Sequence, residues 1–224
     1  VGDLAQKLHH GSTIDVRASF PGHNVASVKL TENLRQTDAP GLALFSALFR
    51  AQFHGDPLPS EAMLERVLQA GDSIARPQLV ICAKDADMDS AIIEALRTAK
   101  RHQTVAVLFP TAERAVASFQ RLDARLRELL IDAELSEKVN LSRRHVRHFA
   151  DVANAKGLEF DVVVLADIDR FDLNDPAQVN RLYVGVTRAR RALALLTRKS
   201  TPSPKLGELM SSFESMASAA HGTP

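Results

Sequence analysis

The sequence predicts an α/β fold: a parallel sheet with helices on both faces. Two observations lead there. Short β-branched runs alternate with longer stretches whose apolar residues fall at three- and four-residue intervals. The chain of 224 residues, 45% hydrophobic, is also long enough to bury about 70–75% of its unfolded surface, so a core forms without staples. Charged residues at 25% match the globular average, which excludes wholesale disorder.

In chain order, the first predicted strand is "ASVKLT" (26–31). Helices follow over 41–53 ("GLALFSALFRAQF") and 60–70 ("SEAMLERVLQA"), separated by the turn "HGDPLPS". "QLVICA" (78–83) is the second strand; its Cys82, the one cysteine of the chain, reads as a small core residue and rules out a disulfide framework. A half-buried helix over 87–102 takes Asp87 as its N-cap, the strand "TVAVLF" spans 104–109, and a second such helix over 111–130 starts at the N-cap Thr111. "VNLSRRHVRHFA" (139–150) breaks the alternation with Arg143, Arg144, His145, Arg147 and His148. It reads either as a solvated strand edge or loop, or as a patch that contacts phosphates. The strand "DVVVLADI" (161–168) comes next, then a helix over 177–191 with Val179, Leu182 and Val186 facing the core and Tyr183 a further candidate. Arg190 and Arg191 then stand at a helix C-terminus, where the dipole favours cations. The strand "ALALLT" (192–197) is followed by a turn, one short helix and a frayed tail.

A formal charge of +1 neither demands nor excludes a nucleic-acid partner, because phosphate binding needs a local basic surface. No apolar run approaches the roughly 18 residues of a membrane span, and no signal-peptide pattern opens the chain. A soluble, cytoplasmic protein without a membrane partner is the expectation. The chain starts with Val1, and "VGD" reads as a strand end running into a loop, which points to a piece of a longer polypeptide. Phosphate-loop, C-x-x-C, H-E-x-x-H and G-x-S-x-G patterns are all missing. Instead, Lys156, Gly157 and Glu159 directly precede the most apolar strand: glycine lets backbone approach a ligand, and a carboxylate there can accept hydrogen bonds from ribose hydroxyls. Arg188, ahead of Arg190 and Arg191, is placed to reach a phosphate at the sheet end.

Taken in order, these segments resemble a known family. "AKGLEFDVVVL" resembles motif V and "LYVGVTRARRAL" motif VI of the UvrD/Rep-like DNA helicases of superfamily 1; "VGDLAQ" is similar to the end of motif III and "LTENLRQT" (30–37) to motif IV. The resemblance implies a RecA-like sheet without its own phosphate loop: residues 1–20 a remnant of the first RecA-like domain, 21–200 the second, and 201–224 a C-terminal helix and tail. It implies ATP in the cleft between the two domains, with magnesium ligands in a preceding part of the polypeptide. Gln6 would sense the γ-phosphate, Arg35 and Arg188 would contact it, and Glu159, beside Gly157, would hold the ribose. Lys156, Asn154, Arg143 and Arg144 would touch single-stranded or partly duplex DNA. The implied partner is the N-terminal RecA-like domain of the same polypeptide, with a repair or nuclease protein as a further candidate and a nucleoid-associated location. Leu34, Asp151 and Ala153 depart from the family's aromatic, threonine and histidine. A degenerate helicase-like scaffold or binding module is therefore one alternative, and a helicase module of a nuclease or repair complex is another.

Overall fold

The computed structural model describes residues 36, 38–71, 74–136, 143, 145–198 and 203–219. The predicted strand at 26–31, the remnant at 1–20, and Gln6, Leu34, Arg35 and Arg144 lie outside the described residues. Among the described residues six strands form one sheet: β1 (Gln78–Ile81), β2 (Val105–Phe109), β3 (Ala133–Leu135), β4 (Arg147–Asp151), β5 (Phe160–Leu165) and β6 (Ala189–Thr197). Their order across the sheet is β1-β6-β5-β2-β4-β3, with every pairing parallel. The helices are α1 (Pro40–His54), α2 (Glu61–Ala70), α3 (Asp85–Thr98), α4 (Ala112–Glu128), α5 (Pro176–Val186) and α6 (Pro204–Ala219).

Both faces of the sheet are covered, as the alternation predicts. Along β2, Ala106 and Leu108 enter a core with Phe45 and Phe49 of α1, Leu182 and Tyr183 of α5, and Leu209 and Phe213 of α6. Val105, Val107 and Phe109 point the other way, onto Met88 and Ile92 of α3 and Leu122 and Leu126 of α4. The C-terminal helix thus belongs to the main core: it spans 16 residues, and its Phe213 ring meets Phe45 edge-on at 5.8 Å. Helix starts follow the chemistry of caps. Thr111 Oγ1 accepts from Arg114 N at 3.4 Å, and Asp175 Oδ1 accepts from Ala177 N at 2.9 Å with Pro176 in the first turn. Gly185 lets α5 lie close on β5, since a Cβ there would stand 2.4 Å from Leu165 Cδ1.

Four expectations need correction. Asp87 is not the N-cap of α3; it stands one turn inside, and its Oδ2 accepts from the backbone N–H of Lys84, which occupies the cap. The helix expected over 177–191 stops at Val186, and β6 begins at Ala189. Arg190 and Arg191 are therefore strand residues on an exposed sheet end, so the dipole argument does not apply to them. The strand expected to reach 168 ends at Leu165 and gives way to a short 3₁₀ turn, Ile168–Arg170. Lastly, 147–151 is neither loop nor solvated edge: β4 lies between β2 and β3, and Arg147 and His148 are buried.

Candidate functional site

The segment between β4 and β5 is a series of tight turns. Asp151 Oδ1 accepts from Asn154 N at 2.7 Å, Lys156 N donates to Ala153 O at 3.2 Å, and Leu158 N donates to Ala155 O at 3.1 Å. Ala155 anchors the series in the core, while Lys156 and Gly157 stand in solvent. Gly157 has φ 89°, a left-handed conformation that costs other residues about 1–2 kcal/mol, and a Cβ there would meet nothing within 4 Å. Backbone conformation, not crowding, requires glycine here. The loop hands the chain to β5 at Phe160, whose register partner is Ala189, the first residue of β6. Residues 156–159 and Arg188 therefore meet at the N-terminal ends of two neighbouring strands.

Arg188 is wholly buried, at 0% exposure. Its Nε donates to Val184 O at 3.0 Å, Nη1 to Leu158 O at 3.1 Å, and Nη2 to Thr187 Oγ1 at 3.0 Å. Phe160 N in turn donates to Arg188 O at 2.9 Å, so side chain and backbone both tie this residue to the loop before β5. Glu159 is one-third exposed, and its Oε2 lies 3.9 Å from Arg190 Nε. Arg191 Nε lies 3.3 Å from Asp161 Oδ1, while Asp161 Oδ2 accepts from the N–H and hydroxyl of Thr104 at 2.9 and 3.1 Å. This end of the sheet sets the carboxylates of Glu159 and Asp161, at the start of β5, against the guanidinium groups of Arg190 and Arg191 on β6. Sequence reasoning singled out Glu159 and Arg188 but missed Thr187 and the Leu158 carbonyl; the hydroxyl next to the arginine in "VTRAR" was the available signal.

The basic stretch before β5 separates into different roles. Arg143 is exposed and pairs with Glu134 of β3. Arg147 is turned inward, donating to Gln103 O at 2.8 Å and to Ala99 O and Lys100 O at 3.3 Å, beyond the C-terminal end of α3. Burial pushes its pKa below the ordinary arginine value. His148 Nε2 lies 2.8 Å from Arg143 O and Nδ1 2.8 Å from Ser136 Oγ. A carbonyl only accepts, so Nε2 carries the hydrogen. Arg147 and His148 are structural, which removes them from any phosphate-contacting patch.

At the opposite, C-terminal end of the strands stands a cluster that the sequence reading did not anticipate. Asp167, 1% exposed and in a left-handed conformation with φ 58°, takes Arg114 Nε on Oδ2 at 2.7 Å and Arg198 on Oδ1. Arg198 also reaches Asp85, at 2.6 Å, and this contact holds the Asp85 carboxyl below the ordinary aspartate range. The cluster joins the segments after β5 and β6 to the first turns of α3 and α4. Surface hollows of about 470 Å³ beside β3 and about 550 Å³ between residues 168–174 and α6 both lie away from Glu159 and Arg188. Among the described residues no three His, Cys, Asp or Glu side chains group as a metal site requires. The expectation of magnesium concerns ligands outside this chain. No helix among the described residues is long and apolar enough to cross a membrane.

The parallel sheet order and the two covered faces define an α/β domain consistent with the RecA-like fold. Residues 148–196, from β4 through β6, match the family model of the UvrD-like helicase C-terminal domain. Both motif-bearing segments, with Asn154, Lys156, Gly157, Glu159 and Arg188, fall inside the matched stretch, so the UvrD-like resemblance is supported where it is most specific. Among solved structures, the C-terminal domain of a possible DNA helicase from Lactobacillus plantarum WCFS1 superposes with a TM-score of 0.53 at 19% identity, covering 69% of this chain and 94% of that one. That likeness shows the fold. No curated protein matches.

Proposed function

We propose that this chain supplies the second RecA-like domain of an ATP-dependent DNA helicase or translocase. ATP would be held between the N-terminal ends of β5 and β6 and the first RecA-like domain of the same polypeptide. The observation that carries the reading is the meeting of Glu159 and Arg188 at these neighbouring strand starts, with the Arg188 guanidinium bonded to the Leu158 carbonyl at 3.1 Å. Glu159, partly exposed, accepts hydrogen bonds from the ribose hydroxyls in exchange for its long contact with Arg190. Arg188 neutralises charge that develops on the transferred phosphoryl group, an effect worth about 10³–10⁵ in rate in well-studied nucleotide hydrolases. Because Arg188 is buried, closure of the two domains must uncover the guanidinium, with its bonds to Val184, Leu158 and Thr187 kept, for it to reach a phosphate. Gln6 and Arg35 take the remaining γ-phosphate contacts. Lys156, Asn154 and Arg143 would contact single-stranded or partly duplex DNA, and the family resemblance gives Arg144 the same role. Magnesium is held by the preceding domain, and a soluble, nucleoid-associated protein with a repair or nuclease partner fits the same reading.

The test compares ATP hydrolysis by the complete polypeptide and by residues 1–224 alone, with and without single-stranded DNA at fixed low salt, since DNA affinity falls steeply with salt. Hydrolysis stimulated by DNA is expected from the complete polypeptide and none from 1–224. Robust hydrolysis by 1–224, or none by the complete polypeptide, would overturn the proposal. One observation favours a second reading: complete burial of Arg188 suits a degenerate domain that serves as a scaffold, in which replacing the guanidinium changes stability and not turnover.

A further inference from the structure

Beyond the finger itself, we infer that Thr187 is a positioning residue for Arg188, an inference that rests on the ATP-site reading above. Thr187 is 5% exposed, and its Oγ1 lies 3.1 Å from Val184 O and 3.0 Å from Arg188 Nη2. The direction of both bonds is forced. A carbonyl cannot donate and a guanidinium cannot accept, so the single hydroxyl hydrogen goes to Val184 O, and an oxygen lone pair takes the Arg188 N–H. The hydroxyl cannot rotate without losing the first bond. It therefore presents a fixed acceptor to one arm of the guanidinium, while Val184 O holds Nε and Leu158 O holds the other arm.

Three of the Arg188 acceptors, one on each guanidinium nitrogen, define the plane of the group as well as its position. Two of them are main-chain carbonyls, which no side-chain substitution removes; the third is the Thr187 hydroxyl. The backbone of Thr187 is secured independently, its N–H donating to Tyr183 O at 3.0 Å at the end of α5. Loss of the hydroxyl leaves the helix end in place and takes from Nη2 of Arg188 the acceptor that sets its tilt. Misplacement of a catalytic group by about 1 Å costs about a hundredfold in rate. Thr187 touches neither substrate nor reacting atoms in this account; it acts through Arg188.

The experiment measures kcat and KM for ATP, with single-stranded DNA saturating, in the complete polypeptide carrying Thr187→Val, Thr187→Ser or Arg188→Lys. Thr187→Val, equal in shape but without the hydroxyl, is expected to lower kcat about tenfold to a hundredfold with KM for ATP changed less than about twofold. Thr187→Ser restores kcat, because the oxygen is retained. A helix end merely weakened by the substitution would lower the urea midpoint without this split between kcat and KM. If Thr187→Val and Thr187→Ser lose equal activity, or Thr187→Val loses none while Arg188→Lys collapses, the positioning role is overturned and the finger stands. If Arg188→Lys, with its fold verified by circular dichroism, turns over like the native protein, the ATP-site reading fails and the inference fails with it. Should Thr187→Val not fold, Thr187→Cys carries the test: a fall in kcat at unchanged KM is expected, and undiminished kcat overturns the assignment.

Discussion

Replacing Asp167 by Asn removes the charge at the centre of the C-terminal cluster and little else. Asparagine has nearly the same volume and tolerates the left-handed backbone, here at φ 58°. The carboxylate accepts from Arg114 on one oxygen and from Arg198 on the other. An amide keeps one acceptor, and its NH₂ then faces a guanidinium, donor against donor. Breaking a buried ion pair by removing one partner costs about 3–5 kcal/mol. Here the side chains of Arg114 and Arg198 are 27% and 18% exposed, and Arg198 keeps Asp85 as a partner, so part of the lost interaction is recovered from water and from that contact. A loss of about 2–4 kcal/mol remains. With a urea m-value of about 2–3 kcal/mol/M, the midpoint of urea unfolding, followed by circular dichroism on residues 1–224, falls by about 1 M at unchanged m. A fall under about 0.2 M would refute the view that the cluster braces the strand ends.

Gly185→Ala drives a methyl group into Leu165, itself fully buried. Overpacking costs about 1–3 kcal/mol and the better helix propensity of alanine returns about 1, so a modestly lowered urea midpoint is expected; a raised one would show that Leu165 repacks freely. Arg147→Leu removes the bonds to the carbonyls of Ala99, Lys100 and Gln103, with about 2 kcal/mol lost and faster hydrogen exchange over 99–104; unchanged exchange would contradict its role in holding that turn. Burial, reinforced by Asp87 and opposed by Arg198, raises the Cys82 thiol above its ordinary 9.0. Its contribution to stability is accordingly complete below pH about 9 and lost as pH rises through the higher folded value. Native protein at pH 8 should resist iodoacetamide until urea unfolds it, and prompt alkylation would show that Cys82 is accessible.

The layered sheet was legible because its main signals are local. Thr111 marks the start of α4, and β5 is a bounded apolar run. Where the sequence misled, buried polar groups were the cause. Arg147 and His148 read as surface residues because their partners, the carbonyls after α3 and the segment holding Ser136 and Arg143, are distant or carry no side-chain signal. β3 escaped because three residues give no period to read. Arg190 and Arg191 suggested a helix end because an exposed strand start bears the same charges as a helix C-terminus, and the register of Phe160 with Ala189 is what separates the two. At the candidate site, motif order brought Glu159 and Arg188 forward, but the burial of Arg188 and its bond to the Leu158 carbonyl depend on parallel pairing of β5 with β6, a contact between segments about 30 residues apart.

The most direct test of the account is kcat for ATP hydrolysis by the complete polypeptide, saturated with single-stranded DNA, in native and Arg188→Lys forms shown to unfold at similar urea concentrations. Lysine keeps the charge but not the planar fork that aligns with phosphate. The account predicts a fall in kcat of about a hundredfold or more with nucleotide binding largely retained. Equal kcat in the two proteins would contradict it and leave Arg188 a structural residue.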